Sequence, residues 1–561
     1  MRSTDSETVK QYTDRGWWGD TTFASLIADA VNDAPDRLAL IDPPNRKDLV
    51  AGAPCRLTYA QVSRLADRLA STLSENGVGT GDVIIVQLPN IAELVIAYIA
   101  TDRLGAIISP MPMQYGRFEL ARAAEVTKAR AYLTVTAFRG VDHLADRTAA
   151  FGADTTILAF EDNSQTKGTH VALLFFPTID ADEDVPTVTR PDISPNEIFT
   201  ICWTSGTTGV PKGVPRHHNH WTSQVGAVAD AAPVRDGAVM LNPFPLTNMG
   251  AISGFLYYWP MAKACLVMHH PFDLQVFLSQ IVAEKVAYTI APPAVLNMFL
   301  QHTELHKTVD LSHVDYIASG SAPLSPSMTK GFKDLFDVEI VNFYGSNEGA
   351  GLVGGPSDIP DPEVRATLFP RFGRPEINWS NRFANRCRTK LVDWQADDRE
   401  ITEPGIAGEL LITGPNVFDG YLGDAAKTEG VFDNEGYFRT GDLFEIGGED
   451  NRFYRFVGRR KELIIRGGMN ISPEELDHVI TDHPLVSEAA VVGFSDRVMG
   501  EKVAAVVVTN AGETLTLAEL TSYLAECGVA KFKWPEQLVL GDTLPRNSMN
   551  KVIRSELRGL L

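Results

Sequence analysis

Cysteine is scarce in this sequence, with five cysteines among 561 residues. Their number is odd, they are scattered, and no two of them form a C-x-x-C pair: Cys55, Cys202, Cys265, Cys387 and Cys527. This pattern argues against a disulfide framework and against a cysteine zinc site, and it predicts a reducing, cytoplasmic location.

Signal-like and membrane-like apolar runs are also missing. The first twenty residues are polar and lack the apolar core of a signal peptide. The longest apolar stretch, 250–268, is interrupted by Pro260 and Lys263, whereas a membrane span needs about 20 apolar residues. We therefore predict no membrane span and interpret 250–268 as buried core that could form the wall of an apolar pocket.

Positive charge is the third shortage. Lys and Arg number 50 against 71 Asp and Glu, which gives a net charge of −21. So acidic a surface argues against nucleic acid or an anionic membrane as a partner. An anionic ligand must therefore be attracted by a local cationic cluster or by a metal ion.

The length and the order of the elements predict several α/β subdomains. Residues 57–77 are typical of a helix that begins with a Thr58–Gln61 capping box. An apolar strand at 83–88, a helix at 91–103 and a strand at 106–109 follow, and this alternation favours layers with mainly parallel sheets. The acidic, proline-rich residues 178–197 are predicted to form an exposed connection. From about 460 the strands are predicted to be short, which indicates a compact α+β module at the C-terminus.

The stretch TSGTTGVPKG, at 204–213, has the composition of an anion-binding loop. Its glycines allow unusual backbone angles, and its amides and hydroxyls can point into one concavity. Because Lys212 follows Pro211, the stretch differs from the common Gly-Lys phosphate loop. The predicted ligand is a polyphosphate, and the residues expected to hold it are Thr204, Ser205, Gly206, Thr207, Thr208, Gly209 and Lys212.

Five further stretches accompany this loop: GSAPL (320–324), YGSNEG (344–349), YFRTGDL (437–443), GRRKELIIRGGMNISPEEL (458–476) and PRNSMNKVIRSEL (545–557). Together the six resemble, in order and over almost the whole chain, the motifs of the adenylate-forming superfamily. That superfamily includes acyl-CoA synthetases, carrier-loading adenylation domains and firefly-type luciferases. The resemblance implies an adenylation region at 1–457, with layered α/β subdomains and a small β-barrel-like part, a hinge at 458–461, and a mobile α+β domain at 462–561.

The resemblance also implies a reaction and its cofactors. A carboxylate would attack the α-phosphate of ATP, helped by Mg²⁺, and the acyl group would then pass to coenzyme A. By the same resemblance, Glu348 holds Mg²⁺, Asp442 binds both ribose hydroxyls, Arg459 reaches the ribose and phosphates, and Lys551 bridges the carboxylate and the α-phosphate. Thr204, Lys212 and Glu348 would assist Lys551 in catalysis. The implied adenine site lies between the segment Gly320, Ser321 and Ala322 and the ring of Tyr344, and the resemblance also implies nucleotide-binding roles for Gly345, Ser346 and Asn347.

The hinge and thiol tunnel are implied in the same way. Lys461 corresponds to the hinge, and Gly467 and Gly468 would let a slender pantetheine arm pass close to the backbone. Two departures stand out: Asn347 replaces the usual Thr before the acid, and Asn550 replaces the usual Gly before the lysine. Asn tolerates left-handed backbone angles better than most residues, so we expect the turn at Asn550 to be retained.

The acid pocket departs further from its relatives. Many of them have an aromatic-His pair within 240–254, where this chain has no His, and either Asn242 or Asn248 could fill that place. Aryl-acid ligases have Asn where Pro243 stands. No Asp lies between 237 and 272, which argues against an amino-acid substrate. The expected pocket residues are Asn242, Phe244, Asn248, Met249 and Gly320. The aromatic surroundings suit a hydrophobic, cyclic or aromatic acid, although they could equally be core packing.

Alternatives remain at this stage. His217, His218 and His220 could bind zinc, but no neighbouring Cys or acid completes a ligand set, and His218 is interpreted as structural. The predicted enzyme is an AMP-forming acid–CoA ligase, a monomer or homodimer. The alternatives are an aryl-acid AMP ligase that loads a carrier protein and a non-catalytic nucleotide-binding sensor or scaffold.

Overall fold

Four large β-sheets organise the part of the chain that the structure describes. The computed structural model covers residues 4–161, 171–175, 191–204, 211–396, 398–467, 469–546 and 551–561. Within these ranges the fold is mixed α/β with two mainly parallel sheets, as predicted. The predicted connection at 178–197 lies outside the described residues as far as residue 190.

Sheet A has eight strands, and its six middle strands run parallel. In spatial order its strands are Gly351–Gly354, Glu339–Gly345, Tyr316–Gly320, Tyr288–Ile290, Val239–Asn242, Cys265–Met268, Leu38–Ile41 and Arg56–Thr58. Because the middle strands run parallel, Asn242, Gly320 and Gly345 all lie at the same edge of the sheet. Ligands of open α/β sheets bind at this edge.

Sheet B has seven strands and is parallel except for its first pair. Its order is Lys212–His217, Ile198–Thr204, Ile107–Pro110, Val83–Val86, Ala131–Val135, Thr156–Glu161 and Val171–Phe175. The antiparallel first pair sets Thr204 opposite Lys212. The two described ends of the predicted phosphate loop are therefore neighbours.

The helices pack around sheets A and B. The predicted helix at 57–77 is confirmed as Tyr59–Glu75, with both bonds of the Thr58–Gln61 capping box formed. Ala92–Arg103 is buried at every residue. The other helices before residue 457 are Ser6–Asp14, Phe23–Asp33, Arg46–Leu49, Arg117–Thr127, Leu144–Arg147, His218–Ala231, Met249–Ala251, Tyr258–Met261, Leu274–Ala283, Pro293–Gln301, Thr303–Thr308, Pro326–Phe336, Pro362–Thr367 and Ala425–Glu429.

The run 250–268 is buried at residues 251–260 and 264–268, so its interpretation as core is confirmed. It contains a π-helix at Ile252–Tyr257. Among the described residues, no helix has both the length and the apolar character needed to cross a bilayer.

Sheet C is antiparallel throughout and follows sheet A in the chain. Its order is Leu368–Pro370, Phe453–Arg459, Phe438–Gly447, Gly408–Thr413, Arg388–Asp393 and Arg399–Ile401. The register sets Asp442 opposite Arg459. Two predicted nucleotide-binding residues thus become neighbours through sheet pairing.

Sheet D belongs to a separate C-terminal domain with its own apolar core. Its strands are Ile464–Arg466, Met469–Ile471, Val486–Asp496, Gly500–Thr509 and Gln537–Leu540, and its helices are Pro473–Thr481, Leu517–Glu526 and Arg554–Leu557. The expectation of short strands was wrong for the hairpin formed by Val486–Asp496 and Gly500–Thr509, whose strands have 11 and 10 residues. Polar residues such as Glu488 and Lys502 suggested strand ends, but they lie within strands that remain paired.

Candidate functional site

The first part of the site is the pair of parallel strands that end at Gly320 and Gly345. Gly320 lies opposite Phe343, and a Cβ on Gly320 would collide with the Phe343 carbonyl. A Cβ on Gly345 would collide with the methyl group of Met249. Only glycine permits the close approach at Gly320, and the two segments predicted to hold adenine lie side by side, with Gly345 against Met249.

Tyr344 joins this edge to sheet C. Its hydroxyl donates to Asp442 Oδ2 at 2.7 Å, and Arg459 Nε lies 3.3 Å from Asp442 Oδ1. Burial raises the pKa of Asp442, while Arg459 and Tyr344 act in the opposite direction. The structure therefore brings together three of the residues predicted to bind the nucleoside.

The predicted metal-binding acid, Glu348, is only 9% exposed. Its Oε1 accepts a hydrogen bond from the Tyr421 hydroxyl at 2.9 Å. Lys212 Nζ lies 4.7 Å from the centre of the Tyr421 ring, and burial, followed by the charge of Lys427, lowers the pKa of Lys212. Tyr421 thus connects the predicted acid to the phosphate-loop lysine. Of the remaining loop residues, Ser205, Gly206, Thr207, Thr208 and Gly209 lie outside the described residues.

Arg216, which is fully buried, holds the turn that carries Glu348 in place. Arg216 donates to the carbonyls of Asn347 at 3.0 Å and Asn416 at 2.7 Å, and it lies 4.2 Å from the Trp221 ring centre. Gly349 has φ +97°, and a Cβ there would collide with the Asn416 carbonyl. Neither Arg216 nor Asn416 was identified from the sequence, because neither position carries a local signal of burial.

Asn347, the first departure from the usual motif, has a structural role of its own. Its Oδ1 accepts from the amide of Met249 at 2.8 Å. This bond ties the acidic turn to the start of the helix Met249–Ala251. Ser346 precedes it, and its buried hydroxyl has no hydrogen-bond partner among the described residues.

The two asparagines of the predicted acid pocket shape its backbone. Asn242 is fully buried, and its Oδ1 accepts from the Phe244 amide at 3.1 Å. Asn248 caps the helix Met249–Ala251 by accepting from the Ala251 amide at 3.1 Å. The side chain of Met249 lies against Gly345 and Gly351. The predicted pocket segment and the predicted adenine segment are therefore in contact.

Several aromatic residues near this segment pack the core. Phe255 stacks on Tyr288 with 5.1 Å between ring centres, and Trp259 stacks on Tyr59 at 5.4 Å. Tyr257 and Tyr258 are also buried. The core-packing interpretation therefore applies to Phe255, Tyr257, Tyr258 and Trp259, whereas Phe244 and Met249 stay predicted pocket residues.

The histidine cluster forms a helix cap. His220 N donates to His217 Nδ1 at 3.2 Å, and His217 N donates to His220 Nδ1 at 3.4 Å. No acid lies next to the histidines along the chain, but the fold brings Asp419 to them, with its Oδ2 3.7 Å from His220 Nε2. Because both Nδ1 atoms accept backbone hydrogens, each neutral ring carries its proton on Nε2 and has no lone pair there for zinc. His218 is core, with its ring bonded to Tyr257 at 2.8 Å and 3.1 Å from Asp102.

The predicted hinge residue and the predicted catalytic lysine lie in the last part of the chain. Lys461 is exposed in the turn that follows the strand Phe453–Arg459. Lys551 lies near Arg459 and Asp442, and burial followed by the charge of Arg459 lowers its pKa to about 8. Gly467 has φ +57° and its amide donates to Met499 O at 2.7 Å, whereas Gly468 and Asn550 lie outside the described residues.

Comparison with known proteins decides the family. The family model "AMP-binding enzyme" matches residues 27–422, and the model "AMP-binding enzyme C-terminal domain" matches residues 475–551. The chain belongs to the AMP-binding enzyme family. This membership confirms the predicted adenylate-forming superfamily and its AMP-forming acid–thiol ligase class.

Individual relatives of this AMP-binding enzyme span nearly its whole length. Indoleacetate–CoA ligase of Aromatoleum aromaticum is 30% identical over 90% of this chain and 93% of its own. A vibriobactin-specific 2,3-dihydroxybenzoate-AMP ligase of Vibrio cholerae is 26% identical over 98% of this chain and 95% of its own. The crystal structure of ATP-bound MatB from Rhodopseudomonas palustris shares the fold, with a TM-score of 0.77 and 24% identity over 96% of this chain and 98% of MatB.

Proposed function

We propose that this enzyme activates a hydrophobic carboxylic acid, cyclic or aromatic, and joins it to coenzyme A. A carboxylate oxygen of the acid attacks the α-phosphorus of ATP, and pyrophosphate leaves. The sulfur of coenzyme A then attacks the carbonyl carbon of the acyl adenylate, AMP leaves, and the thiol proton passes to solvent. The observation that supports this most is the position of Lys551 beside Asp442 and Arg459.

The first step requires two anions to approach each other. Cationic stabilisation of the reacting groups is then the main requirement of the site. Lys551 and Arg459 lie on the nucleoside side, and Lys212 lies beside Glu348. We assign Lys551 to the bridge between the acid and the α-phosphate, and Lys212 with Thr204 to the outer phosphates.

The donor set around Glu348 fits Mg²⁺. This ion prefers oxygen ligands and is commonly held by one or two carboxylates together with substrate phosphates. Glu348 is a carboxylate whose Oε1 accepts a hydrogen bond from Tyr421, and it interacts with Lys212 at the described end of the predicted phosphate loop. Bound Mg²⁺ would neutralise charge on the departing pyrophosphate.

The acid class is inferred from the pocket residues. No Asp stands between 237 and 272 to hold an α-ammonium group, and Phe244 and Met249 supply apolar surface at the sheet edge. One relative is named for indoleacetate, an aromatic acid. Together these observations favour an aromatic or alicyclic acid over an amino acid.

The domain assignment follows the same reasoning. Residues 1–457 bind ATP and the acid, residues 458–461 with Lys461 form the hinge, and residues 462–561 form a mobile domain. Gly467 and Gly468 are assigned to the thiol tunnel because a slender pantetheine arm needs close backbone approach.

The second candidate function is an aryl-acid AMP ligase that loads a carrier protein. It is supported by the similarity of this chain to a 2,3-dihydroxybenzoate-AMP ligase, which covers 98% of the chain.

The test uses purified protein with ATP, Mg²⁺ and a panel of aromatic, alicyclic, fatty and amino acids. Pyrophosphate release and hydroxamate trapping report the first step, and thioester formation with either coenzyme A or a phosphopantetheinylated carrier reports the second. We expect hydroxamate with aromatic or alicyclic acids and thioester with coenzyme A. Thioester formed with the carrier alone would favour the second candidate, and no AMP formed with any acid would overturn both.

A further inference from the structure

The segment that carries Lys551 is attached at both of its ends. Before it, Arg546 Nη2 donates to Glu488 Oε2 at 2.8 Å, and Arg546 forms a β-bridge with Val552. Ile553 N donates to Pro545 O at 2.8 Å. Lys551 directly precedes Val552 and therefore lies next to this bridge, so the contacts that hold the tail determine where the lysine can reach.

Arg554 holds the far end of this loop through an extended set of acceptors. Its Nε lies 3.1 Å from Glu462 Oε2, and its Nη2 lies 2.6 Å from Asp477 Oδ2 and 3.6 Å from Glu474 Oε1. Its Nη1 donates to the carbonyl of Val491 at 3.2 Å. One guanidinium thus ties the tail to the residue after the hinge, to the helix Pro473–Thr481 and to the strand Val486–Asp496 of sheet D.

The energetics of this cluster depend on the arginine. Burial raises the pKa of Glu474 to about 7 and that of Asp477 to about 6. Buried carboxylates are costly unless a cation pairs with them, and a planar guanidinium can bond several at once where an ammonium cannot. Removing the charge at residue 554 would leave three carboxylates near one another and release the tail.

All the acceptors of Arg554 come after the hinge, at residues 462–491. The cluster would therefore rotate with the C-terminal domain as one body, and its geometry would be the same in either domain orientation. Its effect on catalysis would then come through Lys551, which is three residues away along the chain.

We propose that Arg554 is a positioning residue for Lys551. Arg554 holds the tail so that the lysine reaches the α-phosphate, and this position matters in the first half-reaction only. The inference rests on the proposed function of Lys551. A structural role alone would affect both half-reactions, because the same domain also supplies the thiol tunnel in the proposed function.

The experiment compares the two half-reactions in the full-length protein. Adenylation is measured by pyrophosphate release with the accepted acid, and thioester formation is measured from chemically synthesised acyl adenylate and coenzyme A. The variants are Arg554→Gln, Arg554→Lys and Lys551→Ala. The matched control is Lys533→Gln, which removes a cation from the same domain that pairs with exposed Glu475 at 2.6 Å.

We expect Arg554→Gln to lower kcat of adenylation about 30- to 100-fold, with KM for ATP and the thioester half-reaction changed less than about threefold. Arg554→Lys should recover part of the rate, because it restores charge but not the fork geometry. Lys533→Gln should behave as the unchanged protein. Full adenylation activity in both Arg554 variants would overturn the inference. It would also be overturned if Arg554→Lys, with an unchanged melting temperature, lost activity equally in both half-reactions. Full adenylation by Lys551→Ala would instead overturn the proposed function.

Discussion

Two arginines, the fully buried Arg216 and the partly buried Arg554, hold the two halves of the candidate site, and they do so with different partners. Arg216 donates to the carbonyls of Asn347, Asn416 and His220 beneath the Glu348 turn. Arg554 is bonded mainly to carboxylates behind Lys551. Burial lowers the pKa of Arg216 to about 10, whereas Asp477 and Glu474 outweigh burial at Arg554 and raise its pKa.

The large domain and the tail should therefore respond differently to pH. Carbonyls do not titrate, so the turn with Glu348 should keep its geometry over a wide pH range. The partners of Arg554 titrate, so the position of the tail should depend on their charge. Four measurements test this difference between the two arginines.

The largest effect is expected for the lysine on the tail. Lys551→Ala should lower the rate of adenylation about 10²- to 10³-fold, because one stabiliser of developing charge is lost. Affinity for ATP, measured by calorimetry, should change little, since the loop and the nucleoside residues remain. An unchanged rate of pyrophosphate release would show that the tail does not participate.

The arginine of the large domain should matter mainly for stability. Arg216→Met leaves the carbonyls of Asn347 and Asn416 without their donor, so the free energy of unfolding should fall by about 2–4 kcal/mol. Urea titrations should give the same loss at pH 6 and pH 8, because carbonyls do not titrate. A loss that differs strongly between the two pH values would break the proposed contrast.

The pH profile of adenylation should show the charge of the tail lysine. The pKa of Lys551 is lowered to about 8, so the free enzyme carries the needed charge below that pH and loses it as pH rises through that value. We expect kcat/KM for adenylation to fall about tenfold between pH 7 and pH 9, since kcat/KM reports groups of the free enzyme. The residual activity of Lys551→Arg should lack this decline, and a decline shared by both would assign it to another group.

The smallest effect is expected for Glu474→Gln. Burial raises the pKa of Glu474 from 4.5 to about 7, so the stability it contributes is fully present below pH 4.5 and is lost as pH rises through 7. Because glutamine mimics the protonated acid but loses attraction to Arg554, we expect a gain of about 1 kcal/mol at pH 8 and almost none at pH 5. Glu475→Gln is the exposed control in urea titrations, and an equal gain at both pH values would exclude titration of Glu474 as the cause.

Much of the architecture could be predicted because its signals are local. The Thr58–Gln61 capping box and the apolar stripe after it define one helix within a few turns of chain, and the structure forms it. The residues Tyr344, Asp442 and Arg459 were identified by motif, and the structure brings them into contact. The strand lengths of sheet D were not predictable in the same way, because polar residues inside a long hairpin resemble strand ends.

The histidines show the limit of motif-based prediction. Three histidines in four positions suggest a metal site, and the structure even adds Asp419 nearby. The backbone N–H groups of His217 and His220 donate to Nδ1 of each other's rings. These hydrogen bonds favour a helix cap over a metal site. No pattern of residue types contains that information.

The sequence by itself determined the order of the motifs, the alternation of helix and strand and the acidic charge, because each of these depends on neighbouring residues or on composition. Only the tertiary structure decided that Arg216 meets carbonyls and Arg554 meets carboxylates. The physical reason is that the hydrogen bonds and the pKa of a buried group depend on the partners that surround it. For Arg216, two of those partners, Asn347 and Asn416, lie more than a hundred residues away along the chain.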